Sequence, residues 1–106
     1  MRSRADLARA YREAGRVAEV VPLVEQTLAA RERLFGADHP STLASRNNLA
    51  SAYRATGRAA EAIPLFEKNL AACERLFDAD HPKTLASRRN LDLARQESAQ
   101  AANKGR

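Results

Sequence analysis

Two Asp-His pairs, Asp38-His39 and Asp80-His81, invite a chemical reading of this chain. A carboxylate beside an imidazole is raw material for a metal site or for general-base catalysis. Neighbouring side chains in one turn, however, do not converge as a nucleophile, a base and its orienting group must. The two histidines also stand 42 residues apart, at matching places of a repeat. Stacked helices sit about 10 Å apart, too far for the two histidines to share one zinc ion. Each pair is followed by proline, so turn capping is the expected role. The lone Cys73 falls at helical spacing with Phe66, Leu70 and Phe77. That makes it a buried small hydrophobe rather than a reactive thiol. Arg31, at the same place one repeat earlier, leaves partial exposure open. There is no glycine-rich phosphate loop and no catalytic pair of carboxylates. The expectation is a protein that is not an enzyme and uses no metal or cofactor.

The residues better suited to function are amides and guanidinium groups. Asn47 and Asn48 adjoin inside a helical pattern, where asparagine is a poor residue because its side chain competes for backbone hydrogen bonds. An amide offers two donors and an acceptor and can satisfy a peptide bond from both sides. Arginine adds a fork for carboxylates. The competing reading is that one asparagine bonds a neighbouring helix or simply faces water, and the residues alone leave both open.

The elements that must position these groups follow from the repeat. Leu7, Leu49 and Leu91 are each 42 residues apart, as are Tyr11 and Tyr53, Gly15 and Gly57, Pro22 and Pro64, Leu28 and Leu70. A fixed period of this size is the mark of stacked helical units. The spacing predicts five helices. Met1 to Ala14 carries Leu7, Ala8, Ala10 and Tyr11 on one face and is expected to end at Gly15. The next runs from Arg16 to Phe35, with Val17, Val20, Val21, Val24, Leu28 and Phe35 as one buried stripe. Pro40 to Thr56 and Arg58 to Phe77 form the second pair. The fifth begins at Lys83, with Leu85, Leu91, Leu93 and Ala94 apolar. Pro22 and Pro64 are each expected to bend a helix slightly without breaking it. Pro40 suits a first helical position and Asp38 the positive end of the helix that follows.

The pattern Leu49-Ala50-x-x-Tyr53, then Gly57, Ala62 and Phe66, resembles the tetratricopeptide repeat (TPR). The longer unit, with Asn47-Asn48-Leu49-Ala50 and a closing Leu-Phe-x-Ala-Asp-His-Pro, resembles its kinesin light chain type, which also occurs in bacterial arrays. The resemblance covers Ser3 to about Leu93. It implies an all-α solenoid of antiparallel hairpins with about two and a half repeats. The chain is expected to be a fragment of a bacterial array: repeat units 1–36 and 37–78, a partial unit 79–95, and a polar tail 96–106 that should fray. The resemblance further implies that the first helix of each unit lines a concave face gripping an extended peptide. Carried over, the peptide-binding candidates are Asn47, Asn48, Ser51 and Arg54, with Arg89 and Asn90 in the third unit and Arg9 and Arg12 in the first. Ala5 and Asp6 replace the asparagines of the first unit, so the groove should be incomplete at that end.

Charge and composition bound the partner. The chain has 106 residues and a net charge of +5, and 44% of its residues are hydrophobic. It is at most one domain. Acidic residues are interleaved with basic ones, there is no Lys/Arg block, and the aromatic residues sit at core spacing. Nucleic acid is therefore a weaker expectation than a protein or peptide segment. No stretch of apolar residues is long enough for a membrane span, no secretory signal opens the chain, and one cysteine permits no internal disulfide. A cytoplasmic, non-catalytic interaction module is expected. The alternative is a structural or oligomerisation spacer within a larger regulatory protein. Self-association is expected through incomplete repeat ends, preferably as a symmetric dimer covering the fifth helix.

Overall fold

The computed structural model describes the backbone of residues 4–104 and the side chains of residues 15–103. Within these residues four helices follow one another: α1 (Arg4–Phe35), α2 (Pro40–Ala55), α3 (Ala59–Leu76) and α4 (Pro82–Lys104). Each packs on the next, α1 against α2, α2 against α3 and α3 against α4. The result is a short all-α solenoid.

Four helices replace the expected five because α1 runs unbroken through Gly15. The equivalent Gly57 does turn the chain, with φ +80°. The difference lies one residue earlier. At 56 the residue is threonine, and α2 closes after it through backbone bonds from Gly57 to the Arg54 carbonyl, at 3.2 Å, and from Arg58 to the Tyr53 carbonyl, at 2.7 Å. Position 14 is alanine, the best helix former, where threonine is a poorer one. A glycine inside a helix costs about 1 kcal/mol, which uninterrupted hydrogen bonding on either side offsets. A 32-residue helix is about 48 Å long. Its length is comparable with the 44 Å long axis of the molecule, whose radius of gyration is 15.3 Å against about 13 Å for a compact chain of this size.

The remaining turns are built as the repeat predicts. His39 caps α2: its Nδ1 accepts the backbone N–H of Ser41 at 3.0 Å, while its ring stacks on Phe35 at 4.6 Å. His81 does the same for Lys83, at 3.1 Å, and stacks on Phe77 at 4.3 Å. Thr42 and Thr84, both fully buried, bond back to the preceding helix end: Thr42 to the Gly36 carbonyl at 2.7 Å, Thr84 to the Cys73 carbonyl at 3.4 Å. Gly36 takes φ +92°, a conformation that only glycine adopts freely. Asp78, its counterpart, does not. There the chain leaves α3 through an extended Phe77 instead. Asp38, expected at the helix dipole, pairs with Arg75 at 2.8 Å.

Among the described residues the core is one cluster around the middle hairpin. Phe66, Ala50, Ala62 and Ala94 are wholly buried, with Leu49, Tyr53, Val21, Leu28 and Leu91 around them. The stripe expected on α1 is only partly covered. Val21 and Leu28 are buried and Val17 and Val24 pack against the core, but Val20 and Phe35 are 44% and 49% exposed. On α4, Leu91 is buried against the core, which leaves Leu85 and Leu93 as the apolar residues facing outward. Pro22 and Pro64 both lie inside continuous helices. The helix α4 continues through Gln96 as far as Lys104, so the polar tail is helical over its described length. Arg9 and Arg12, and the apolar face expected of Leu7, Ala8, Ala10 and Tyr11, lie outside the described side chains.

Candidate peptide groove

The α2–α3 hairpin is pinned by a buried polar contact. Arg46 is only 3% exposed, although arginine is rarely found buried without a partner. It donates to Asn69 Oδ1 at 2.9 Å and to the Ala37 carbonyl at 3.1 Å. Asn69 in turn donates to the Leu43 carbonyl at 3.0 Å. Both ends of the amide are thereby satisfied, which is the condition for burying it without penalty. Tyr53 reaches the other way. Its hydroxyl donates to Glu25 on α1 at 2.6 Å, and the Arg58 guanidinium covers its ring at 4.3 Å. The bond to Glu25, followed by burial, raises the Tyr53 pKa above the ordinary phenol value.

With α3 behind them, α2 and α4 form the two walls of a cleft of about 260 Å³. Leu43, Ala44 and Asn47 line the α2 wall, Ala86, Ser87 and Asn90 the α4 wall, and Asn69 and Cys73 lie between them. Cys73 is 5% exposed, buried as expected, with its sulfur 3.4 Å from the Ser87 hydroxyl. Asn47 and Asn90, equivalent side chains of consecutive units save for one position, meet across the cleft: Asn90 Nδ2 donates to Asn47 Oδ1 at 3.2 Å. That bond uses one donor and one acceptor. Asn47 Nδ2 and Asn90 Oδ1 have no other partner among the described residues, so the pair still presents a donor and an acceptor. Lys83 adds a positive charge to the lining.

The other candidates separate from this pair. Ser51 and Arg54 sit further along α2 beside a second hollow, of about 240 Å³, shared with Glu97. Arg54 is engaged there in a two-pronged ion pair, Nε to Glu97 Oε1 at 2.6 Å and a second nitrogen to Oε2 at 3.1 Å. The bond from Arg54 is the main reason the Glu97 carboxyl titrates below the ordinary glutamate range. Asn48 and Arg89 are exposed and do not line the cleft. Sequence reasoning missed Arg46, Asn69 and Glu97. The first had a visible signal, since Thr42, Ser45, Arg46 and Leu49 fall on one helical stripe and all are buried. Asn69 likewise follows Ala62 and Phe66 at helical steps. Glu97 had none, because it lies in a polar stretch.

The tetratricopeptide repeat family model matches residues 2–68 and again residues 47–102. The chain belongs to the tetratricopeptide repeat family. Among solved structures it is similar to the kinesin light chain-type, nearly identical TPR-like repeats of Podosopora anserina, with 40% identity and a TM-score of 0.76. A single-residue variant of the same repeats matches with 39% identity and the same TM-score. In both cases the match covers 90% of this chain and 45% of that one. The TPR chain described here thus spans less than half the length of these structural relatives. No curated protein matches it. No described helix is long and apolar enough to cross a membrane.

Proposed function

We propose that the cleft between α2 and α4 binds an extended segment of a partner protein, without catalysis. Tetratricopeptide repeats mediate protein–protein interaction. The observation that carries the finer reading is the Asn47–Asn90 pair, 3.2 Å apart at an otherwise largely apolar cleft. A peptide backbone offers an N–H and a carbonyl to every residue it passes. The free acceptor of Asn90 and the free donors of Asn47 match that pair of groups. The cleft volume of about 260 Å³ falls below the range of about 300–1,000 Å³ usual for small-molecule pockets, and suits one or two side chains of a passing segment.

Arg54 is less suited to gripping a ligand carboxylate while Glu97 holds both of its prongs. Asn48 and Arg89 can contribute only at the rim. Selection of peptides from a random-sequence display library on the wild-type protein supplies a defined ligand. An Asn47→Ala, Asn90→Ala double variant is expected to weaken the selected peptides about tenfold or more, from two lost hydrogen bonds of about 0.5–1.5 kcal/mol each. Its helical content should stay unchanged. Undiminished binding by the double variant overturns the proposal.

A further inference from the structure

Along one flank of α1 lies an apolar surface that its own chain leaves open. Val20 is 44% exposed and Leu23 61%, and Thr27 is exposed too. In the second unit the equivalents of Val20 and Thr27 are Ala62 and Asn69, which are 0% and 5% exposed. They are covered because α2 folds back on α3, in an antiparallel register that the Arg46–Asn69 bond fixes. Shifted back by one repeat, that register sets Arg4 opposite Thr27, Leu7 opposite Val24 and Tyr11 opposite Val20. The segment that should cover α1 is therefore its own first third. It repeats the covering face of α2, with Leu7, Ala8 and Tyr11 in place of Leu49, Ala50 and Tyr53, all three of the latter buried. Yet α1 runs straight through Gly15, so Arg4–Ala14 points away along the helix axis and cannot reach Val20 or Thr27 of the same chain.

We propose that two copies of the chain pair antiparallel through α1, the Arg4–Ala14 segment of each lying on the Val20–Thr27 face of the other. A two-fold axis near Gly15 reproduces in trans the register that α2 and α3 hold in cis. It covers both open faces at once, as a closed symmetric interface does. Position 14 favours this arrangement over folding back. At the Gly57 turn the preceding residue is Thr56, a poorer helix former than the alanine at position 14. Short connections that resist turning promote exchange of elements between copies.

Light scattering over a concentration series tests the pairing, with twice the 11.6 kDa chain mass expected. Val20→Asp places a charge in the paired face and is expected to weaken the dimer about tenfold or more. Ala14→Thr lowers the helix propensity at this place to that of the second unit and is expected to raise the monomer fraction. Register is read independently by cysteine cross-linking in a Cys73→Ser background. A Leu7→Cys chain mixed with a Val24→Cys chain should form a disulfide between copies under oxidation. A monomer mass throughout overturns the proposal. So does a Leu7→Cys, Val24→Cys double variant that closes on itself within a monomer.

Discussion

Phe66 and the Arg54–Glu97 pair mark two extremes among the individual residues. Phe66 has no exposed surface and sits where α2, α3 and the flanking helices meet. Phe66→Ala is expected to cost about 3–5 kcal/mol, a large fraction of the stability of a domain this small. A urea melt should show it as a marked drop in midpoint, and a midpoint close to wild type would refute the placement of the core. The Arg54–Glu97 pair is partly exposed, with Glu97 at 43% of its side-chain surface. Water therefore screens it and its contribution is small. Its sign is nevertheless fixed. The folded Glu97 carboxyl titrates below its unfolded value, so its stabilisation is full above the ordinary glutamate pKa and is lost as the pH falls through the lower, folded value. Glu97→Gln should flatten the acid side of the stability curve slightly and leave neutral-pH helical content unchanged. An acid limb identical to wild type in pH-dependent melts would show that the pair is not held in solution.

At the scale of the element, the repeat made most of the helices readable and one substitution hid the exception. The boundaries of α2, α3 and the start of α4 follow from Pro40, Gly57 and Pro82. The histidine caps follow from their recurrence after 42 residues. What misled was Gly15, read as a helix stop by analogy with Gly57. A glycine permits a turn without enforcing one, and the residue before it differs between the units, threonine at 56 and the better helix former alanine at 14. The long reach of α4 was hidden for a different reason. Gln96–Lys104 has no apolar stripe to announce burial, and its first turn is tied to α2 by a salt bridge between residues far apart in sequence. Of the binding candidates, Asn47 and Asn90 proved to share one cleft because they stand near equivalent places of successive units. Asn48 and Arg89, their immediate neighbours, were indistinguishable in the sequence. One residue along a helix is a rotation of about 100°, and only the packing against α3 decides which of two adjacent polar residues faces the cleft.

The whole molecule is a short TPR solenoid with two distinct surfaces, the α2–α4 cleft and the open flank of α1. They lie on different helices, so peptide binding and pairing through α1 should be separable. Variants at Val20 should leave peptide affinity intact, and variants at Asn47 and Asn90 should leave the mass unchanged. The basic balance of the chain adds a general attraction for acidic segments. In the proposed groove, the directional contacts that a net charge cannot supply would come from the Asn47–Asn90 pair. The central claim is that the cleft is where a partner segment lies. Backbone amide chemical-shift mapping of the protein with a library-selected peptide tests it most directly. The largest shifts are expected to cluster at Ala44, Asn47, Ser87 and Asn90, with smaller ones at Asn69 and Cys73 behind them. Shifts concentrated instead on the outer faces of α1 and α3, with those residues unmoved, would contradict it.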